Sequence, residues 1–284
     1  MDGGMGVLLA LLGVAAAGLA VLRLRRGPGL GAELTRRRTE LLRAPAAAPP
    51  LLTEALIAPL PAPVQRYLRV CGWLGRPLPS SVQVDFDATM FSAPGAAGMR
   101  GPAVQIDRFD LPRRLFFMRT RRAGLPVAVL HDYRGAQASM QVRLASLFDV
   151  VFLQGDTLAR AETVTLLNDL CLFAPAWLVD ARLSWTAQDG HRCRVAYTQG
   201  PHRVAAELVF NDAGELVNFH SDDRGALQKD GSLRLLRWST PVRDYREFDG
   251  RRVATQGDAV YAYPEGDFVY GRFALRQIRF DPAP

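Results

Sequence analysis

Glu162 and Asp169 stand seven residues apart in "ETVTLLNDLCLF", and Asn168 places an amide beside the second carboxylate. On a helix, that spacing puts both carboxylates on nearly the same side, with Asn168 about 100° further round. Such a strip supports three chemistries. It can line the mouth of an apolar cavity and orient a ligand's polar head. It can supply a general base, if desolvation tunes one carboxylate beside a bound water. It can also form ion pairs with arginines and meet water, Glu162 being favoured by the helix dipole near the helix start. The complementary residues are Arg224 in "SDDRG", and Trp238, Arg243 and Tyr245 in "RWSTPVRDYREFDG". On a strand, Arg243 and Tyr245 share a face and Asp244 takes the other. They form either a cation–aromatic ladder or a polar wall facing the acidic strip. The candidate ligand-binding set is therefore Glu162, Asn168, Asp169, Arg224, Trp238, Arg243 and Tyr245, with no catalytic residue and no metal ligand assigned.

Other chemistries find little support. There is no GxSxG elbow, GxxxxGK phosphate loop, GxGxxG turn or HExxH helix. His131, His191, His202 and His220 never stand at a paired ligand spacing and read as exposed strand residues. Cys71, Cys171 and Cys193 are odd in number, widely spaced and without a CxxC, so they read as buried thiols. No cofactor is implied.

The elements that must position the acidic strip follow from hydrophobic period. Residues 157–173 form an apolar helix stopped by Pro175. From Ser80 onward the rest alternates with period two. "VQVDFDATM" places Val82, Val84, Phe86, Ala88 and Met90 on one face, the pattern of a half-buried antiparallel strand. Similar runs recur before and after the helix, and "QDG", "NDAG", "KDG" and "FDG" supply hairpin turns between the later ones. One sheet with so many strands must curl or close. The fold class expected is mainly β (α+β): a large curved antiparallel sheet, a half-barrel, with the helix on its concave face.

Net charge is +7 over 284 residues, and residues 1–45 carry seven arginines against Asp2, Glu33 and Glu40, leaving only +3 elsewhere. The basicity therefore argues for a membrane surface rather than nucleic acid. Residues 6–22 form an apolar run of 17 residues, spanning roughly 26 Å as a helix against a hydrocarbon core of about 30 Å. A cleaved signal peptide is opposed by the lack of Lys or Arg before the run and by "RLRRG" after it. The organisation expected is a transmembrane anchor over 1–26, a basic Pro/Ala-rich tether over 27–58 with a short helix at 32–43, and one β-rich domain over 59–284. The arginines following the run place the domain on the cytoplasmic side of a bacterial inner membrane, as a single-pass protein.

The segments "ETVTLLNDLCLFAPAWLVD", "VFNDAGELVNFHSDDR" and "RWSTPVRDYREFDGRRVATQGDAVYAYPEGDF" resemble the bacterial family known as domain of unknown function 6544. The resemblance covers roughly residues 59–280. It implies an architecture similar to the lipoprotein-carrier and lipid-binding half-barrels of bacteria, and it brings no catalytic residues. The expected function is a membrane-anchored, non-catalytic binding module for a lipid or other apolar ligand. The alternatives are a structural or partner-binding domain with a filled core and, third, a hydrolase using Glu162 or Asp169 as base.

Overall fold

The computed structural model describes residues 29–44, 48–228 and 232–284. The apolar run at 6–22 lies outside them. No helix among the described residues is long and apolar enough to cross a membrane.

Among the described residues, three helices precede the sheet: α1 (Leu30–Arg43), α2 (Glu54–Ile57) and α3 (Ala62–Val70). Strands β1 (Ser81–Met90), β2 (Met99–Arg108), β3 (Arg113–Arg122), β4 (Leu125–Arg134), β5 (Gln137–Leu144) and β6 (Phe148–Gln154) then run as an antiparallel meander. Helix α4 (Asp156–Phe173) follows, and a 3-10 turn at Pro175–Val179 leads into β7 (Leu183–Ala187). The second meander continues through β8 (Arg192–Gln199), β9 (His202–Phe210) and β10 (Leu216–Ser221). A small hairpin of β11 (Gly225–Leu227) and β12 (Leu233–Leu235) interrupts it. The chain then returns as β13 (Trp238–Ser239) and β14 (Val242–Phe248), both paired to the long β15 (Arg251–Tyr263). Finally β16 (Gly266–Phe280) pairs with β15 and with β1, joining the two meanders in one 14-stranded sheet whose edges are β6 and β7. Helix α4 is thus the connection between the two edges, which draws it across the concave face of the half-barrel.

Local chemistry explains the ends of these elements. Asp249 (φ 50°) and Gly250 (φ 67°) make the tight turn between β14 and β15, in the left-handed conformation that a two-residue hairpin needs. Helix α4 begins after Gly155 and stops where Ala174, preceding Pro175, leaves the helical region at φ −142°. The apolar run "LRLLRWST" is divided between two sheets: Leu233–Leu235 pairs with β11, while Trp238–Ser239 joins the main sheet.

Over β1–β4 the first meander is packed on both faces. On the concave side Val82, Val84, Phe86 and Ala88 are buried as the alternation predicts. On the convex side Leu30, Leu34 and Leu41 of α1 pack on Val104, Ile106, Leu115, Phe117 and Leu130. Arg108 Nη1 also donates to the carbonyls of Leu41 (3.0 Å) and Ala44 (2.9 Å) at the helix end. The basic helix expected at 32–43 therefore forms and lies against the sheet. Among α4 residues, 15 of 18 are buried, and Tyr67 of α3 donates its hydroxyl to the Cys171 carbonyl at 3.0 Å.

Candidate functional site

Antiparallel register lines up the polar residues that face α4. Gln105 on β2 lies opposite Phe116 on β3, which lies opposite His131 on β4. One step along, Asp107 lies opposite Arg114, which lies opposite Tyr133. The row of α4 carrying Glu162 and Asp169 descends onto these positions. Arg114 Nε donates to Asp169 Oδ2 at 2.7 Å, Nη1 to Glu162 Oε2 at 3.0 Å, and Nη2 to the Gln105 amide oxygen at 3.0 Å. The other Glu162 oxygen meets His131 Nδ1 at 3.0 Å. Gln105 passes the network on, its Nε2 donating to Asp107 Oδ2 at 2.7 Å.

The strip expected to be exposed is in fact buried, Glu162 at 2% and Asp169 at 4%. Glu162 sits six residues beyond Asp156, the first residue of α4, so the dipole at the helix start is not what holds it. Arg114, His131 and the sheet do so. Burial pushes Glu162 up, but His131 and Arg114 outweigh it and bring its pKa down to about 2. Asp107 behaves oppositely: complete burial and the nearby Asp169 raise it well above the usual carboxylate range. Its Oδ1 has no hydrogen-bond partner among the described residues, which fits a neutral acid. Burial raises Asp169 too, against the pull of Arg114. The direct bond from the Arg114 guanidinium favours the ionised form of Asp169 more than that of Asp107, which has no such bond.

Beside this network lies a cavity of about 140 Å³. Phe86, Phe116, Leu172, Phe173, Phe273 and Leu275 give it an apolar wall. Across from Arg114 the wall is formed by Arg224, whose guanidinium stacks 4.5 Å from the Trp238 ring, donates from Nε to Thr165 Oγ1 at 3.1 Å, and bonds through Nη1 to the Tyr261 hydroxyl. Tyr261 stacks on Tyr270 at 5.0 Å, and Trp238 Nε1 donates to the Tyr270 hydroxyl at 3.0 Å. Asn168 accepts from Thr240 Oγ1 at 2.6 Å on the same wall.

Five of the seven sequence-designated residues, Glu162, Asn168, Asp169, Arg224 and Trp238, thus line one cavity. Arg243 and Tyr245 do not. Arg243 is half exposed and pairs with Asp258 at 3.2 Å. Tyr245 reaches the Leu216 carbonyl at 2.8 Å, toward Tyr67. Asp244 between them adopts φ 59°, a left-handed backbone conformation inside a strand whose register with β15 is kept on both sides of it. The arginine that takes Asp169 is Arg114, not Arg224 or Arg243. His131, expected to be exposed, is a buried-side partner of Glu162 with 18% exposure. One signal for Arg114 was present: in "RRLFFMRT" it shares a face with Phe116 and Met118, and a charge on an apolar face requires a partner. No cluster of three or more metal-ligating side chains occurs among the described residues.

A search of curated proteins finds no match. Among solved structures, the chain is similar to a LolA superfamily protein from Nitrosomonas europaea, at 12% identity and a TM-score of 0.43, covering 78% of this chain and 94% of that one. It is also similar to a DUF1329 family protein from Desulfovibrio piger, at 16% identity and a TM-score of 0.44, covering 82% and 94%. The profile of a family of unknown function, DUF6544, matches residues 50–273, and the chain belongs to that family.

Proposed function

We propose that this chain is a non-catalytic binding module that holds an apolar ligand, such as a lipid acyl chain, between α4 and the concave sheet. The observation that carries this reading is the aromatic and aliphatic cavity at that position. A general-base role fits less well, because both Glu162 oxygens are engaged and its pKa is held down to about 2. In this reading the apolar run at 6–22 supplies the membrane contact, with the domain on the cytoplasmic side.

A second reading, a partner-binding domain with a filled core, is favoured by size. At about 140 Å³ the cavity is below the roughly 300–1,000 Å³ of pockets that enclose a drug-sized ligand. A long chain would be enclosed only in part. Calorimetry of the full chain against fatty acids and phospholipids, together with native mass spectrometry after purification, separates the two. Micromolar binding that weakens when Phe273→Trp fills the cavity supports the carrier reading. No bound mass and no binding heat leave the filled-core reading.

A further inference from the structure

Arg224 is the arginine of this cavity with no contact ion pair, although the charge of Glu162 acts on it. Glu162 and Asp169 are both taken by Arg114, with His131 on the remaining Glu162 oxygen. Asp222 and Asp223, the neighbours of Arg224 in sequence, turn outward to Arg237 and Arg160. Among the described residues Arg224 forms no salt bridge, and Nη2 makes no hydrogen bond, since Nε and Nη1 carry its two. A guanidinium has five donors in a planar fork, and with Nε and Nη1 engaged the Nη2 hydrogens are unused on the wall of the cavity.

Tyr270 stands beside it in the same condition. Its hydroxyl oxygen accepts from Trp238 Nε1, and its own O–H has no acceptor among the described residues. Tyr270 lines the cavity with Arg224 and acts on it electrostatically. Arg224 and Tyr270 thus bring two free donors, one of them charged, to a cavity with an aromatic wall, whose lining also holds the buried, unpartnered Oδ1 of Asp258. A free charged donor beside an apolar wall favours a ligand that brings an acceptor to it.

We propose that Arg224 and Tyr270 form a receptor for a single carboxylate, and that the ligand of this cavity is a compact monocarboxylic acid, such as a medium-chain or aromatic acid, whose apolar body lies on Phe86, Phe116, Phe173 and Phe273. This rests on the apolar-ligand reading and narrows it. The guanidinium fork matches carboxylate geometry. The volume of about 140 Å³ is close to the engineered cavity of about 150 Å³ that accepts benzene, which suits a body of about six carbons and not a diacyl lipid.

Equilibrium dialysis of the full chain against octanoate and against 1-octanol tests the proposal, since the two share a chain and differ in head group. Octanoate should bind at least about tenfold more tightly than octanol, the range of a charged hydrogen bond. Arg224→Met should abolish that preference, and Tyr270→Phe, which keeps the ring, should reduce it severalfold. Octanol, whose neutral hydroxyl accepts a weaker hydrogen bond, should lose less than octanoate in both variants, and Arg243→Met, which does not line the cavity, should leave the preference unchanged. Equal binding of the two ligands by the unmodified chain overturns the carboxylate receptor while leaving the apolar-ligand reading intact. Binding of neither overturns both.

Discussion

Arg114 of β3 and Asp169 of α4 meet through an Nε–Oδ2 bond of 2.7 Å with side-chain exposures of 8% and 5%. This contact fixes the angular position of a helix that is apolar on most of its surface, and it joins the element crossing the concave face to the strands beneath it. Breaking such a pair leaves an uncompensated charge out of water, which costs more than the pair itself contributes.

The two partners should therefore differ in sensitivity. Asp169→Ala leaves Arg114 with Glu162 and should cost about 3 kcal/mol, whereas Arg114→Met strands two carboxylates and should cost more, about 5 kcal/mol. Urea denaturation of both variants checks the order. An Asp169→Ala cost below about 0.5 kcal/mol would mean the carboxylate is solvated.

Acid sensitivity should have two opposite components. Glu162 titrates in the folded chain at about 2, against an ordinary 4.5. Its contribution is complete above pH 4.5, is lost as pH falls toward 2, and is on the order of 3 kcal/mol. Asp107 is raised above its ordinary 3.8, so its burial costs nothing below that pH and progressively more above it. Glu162→Gln should flatten the acid limb of stability. Asp107→Asn should stabilise at pH 7 and have no effect at about pH 3. Stability curves from pH 2 to 8 decide this, and equal destabilisation by Asp107→Asn at both ends would count against its being neutral.

Truncation should separate membrane contact from folding. Removing residues 1–28 should shift the protein from membrane to soluble fraction and leave its unfolding midpoint unchanged. Removing residues 1–45 also strips α1 from Ile106, Leu115 and Phe117. With buried leucines contributing about 1.5–3 kcal/mol each, that should cost on the order of 5 kcal/mol. Identical midpoints for the two truncations would show that α1 contributes nothing to the fold.

The three thiols should be silent in the native state. Burial pushes Cys71 and Cys193 up to about 12 and Cys171 well above the ordinary thiol range, and all three are free and buried. Since the thiolate is the reactive form, a disulfide reagent at pH 8 should label none before denaturation and three after. Rapid labelling of any one in the native protein would place that cysteine in an opening segment.

The sequence by itself determined the elements and their faces. Period-two alternation identified the strands from Val82 onward, Asp249–Gly250 marked a hairpin, and the apolar run before Pro175 marked α4, because these are local effects of backbone conformation and side-chain direction. It also placed Glu162 and Asp169 on one side of the helix. Only the tertiary structure decided what that side meets. Arg114 is 48 residues from Glu162 and 55 from Asp169, and their meeting depends on sheet register and on α4 spanning the two edges, which no local pattern encodes. The same reason removed Arg243 and Tyr245 from the site: the partners they take, Asp258 and the Leu216 carbonyl, are supplied by long-range pairing. The outward or inward course of Asp222, Asp223 and Arg224 likewise depends on which partners long-range packing brings within reach.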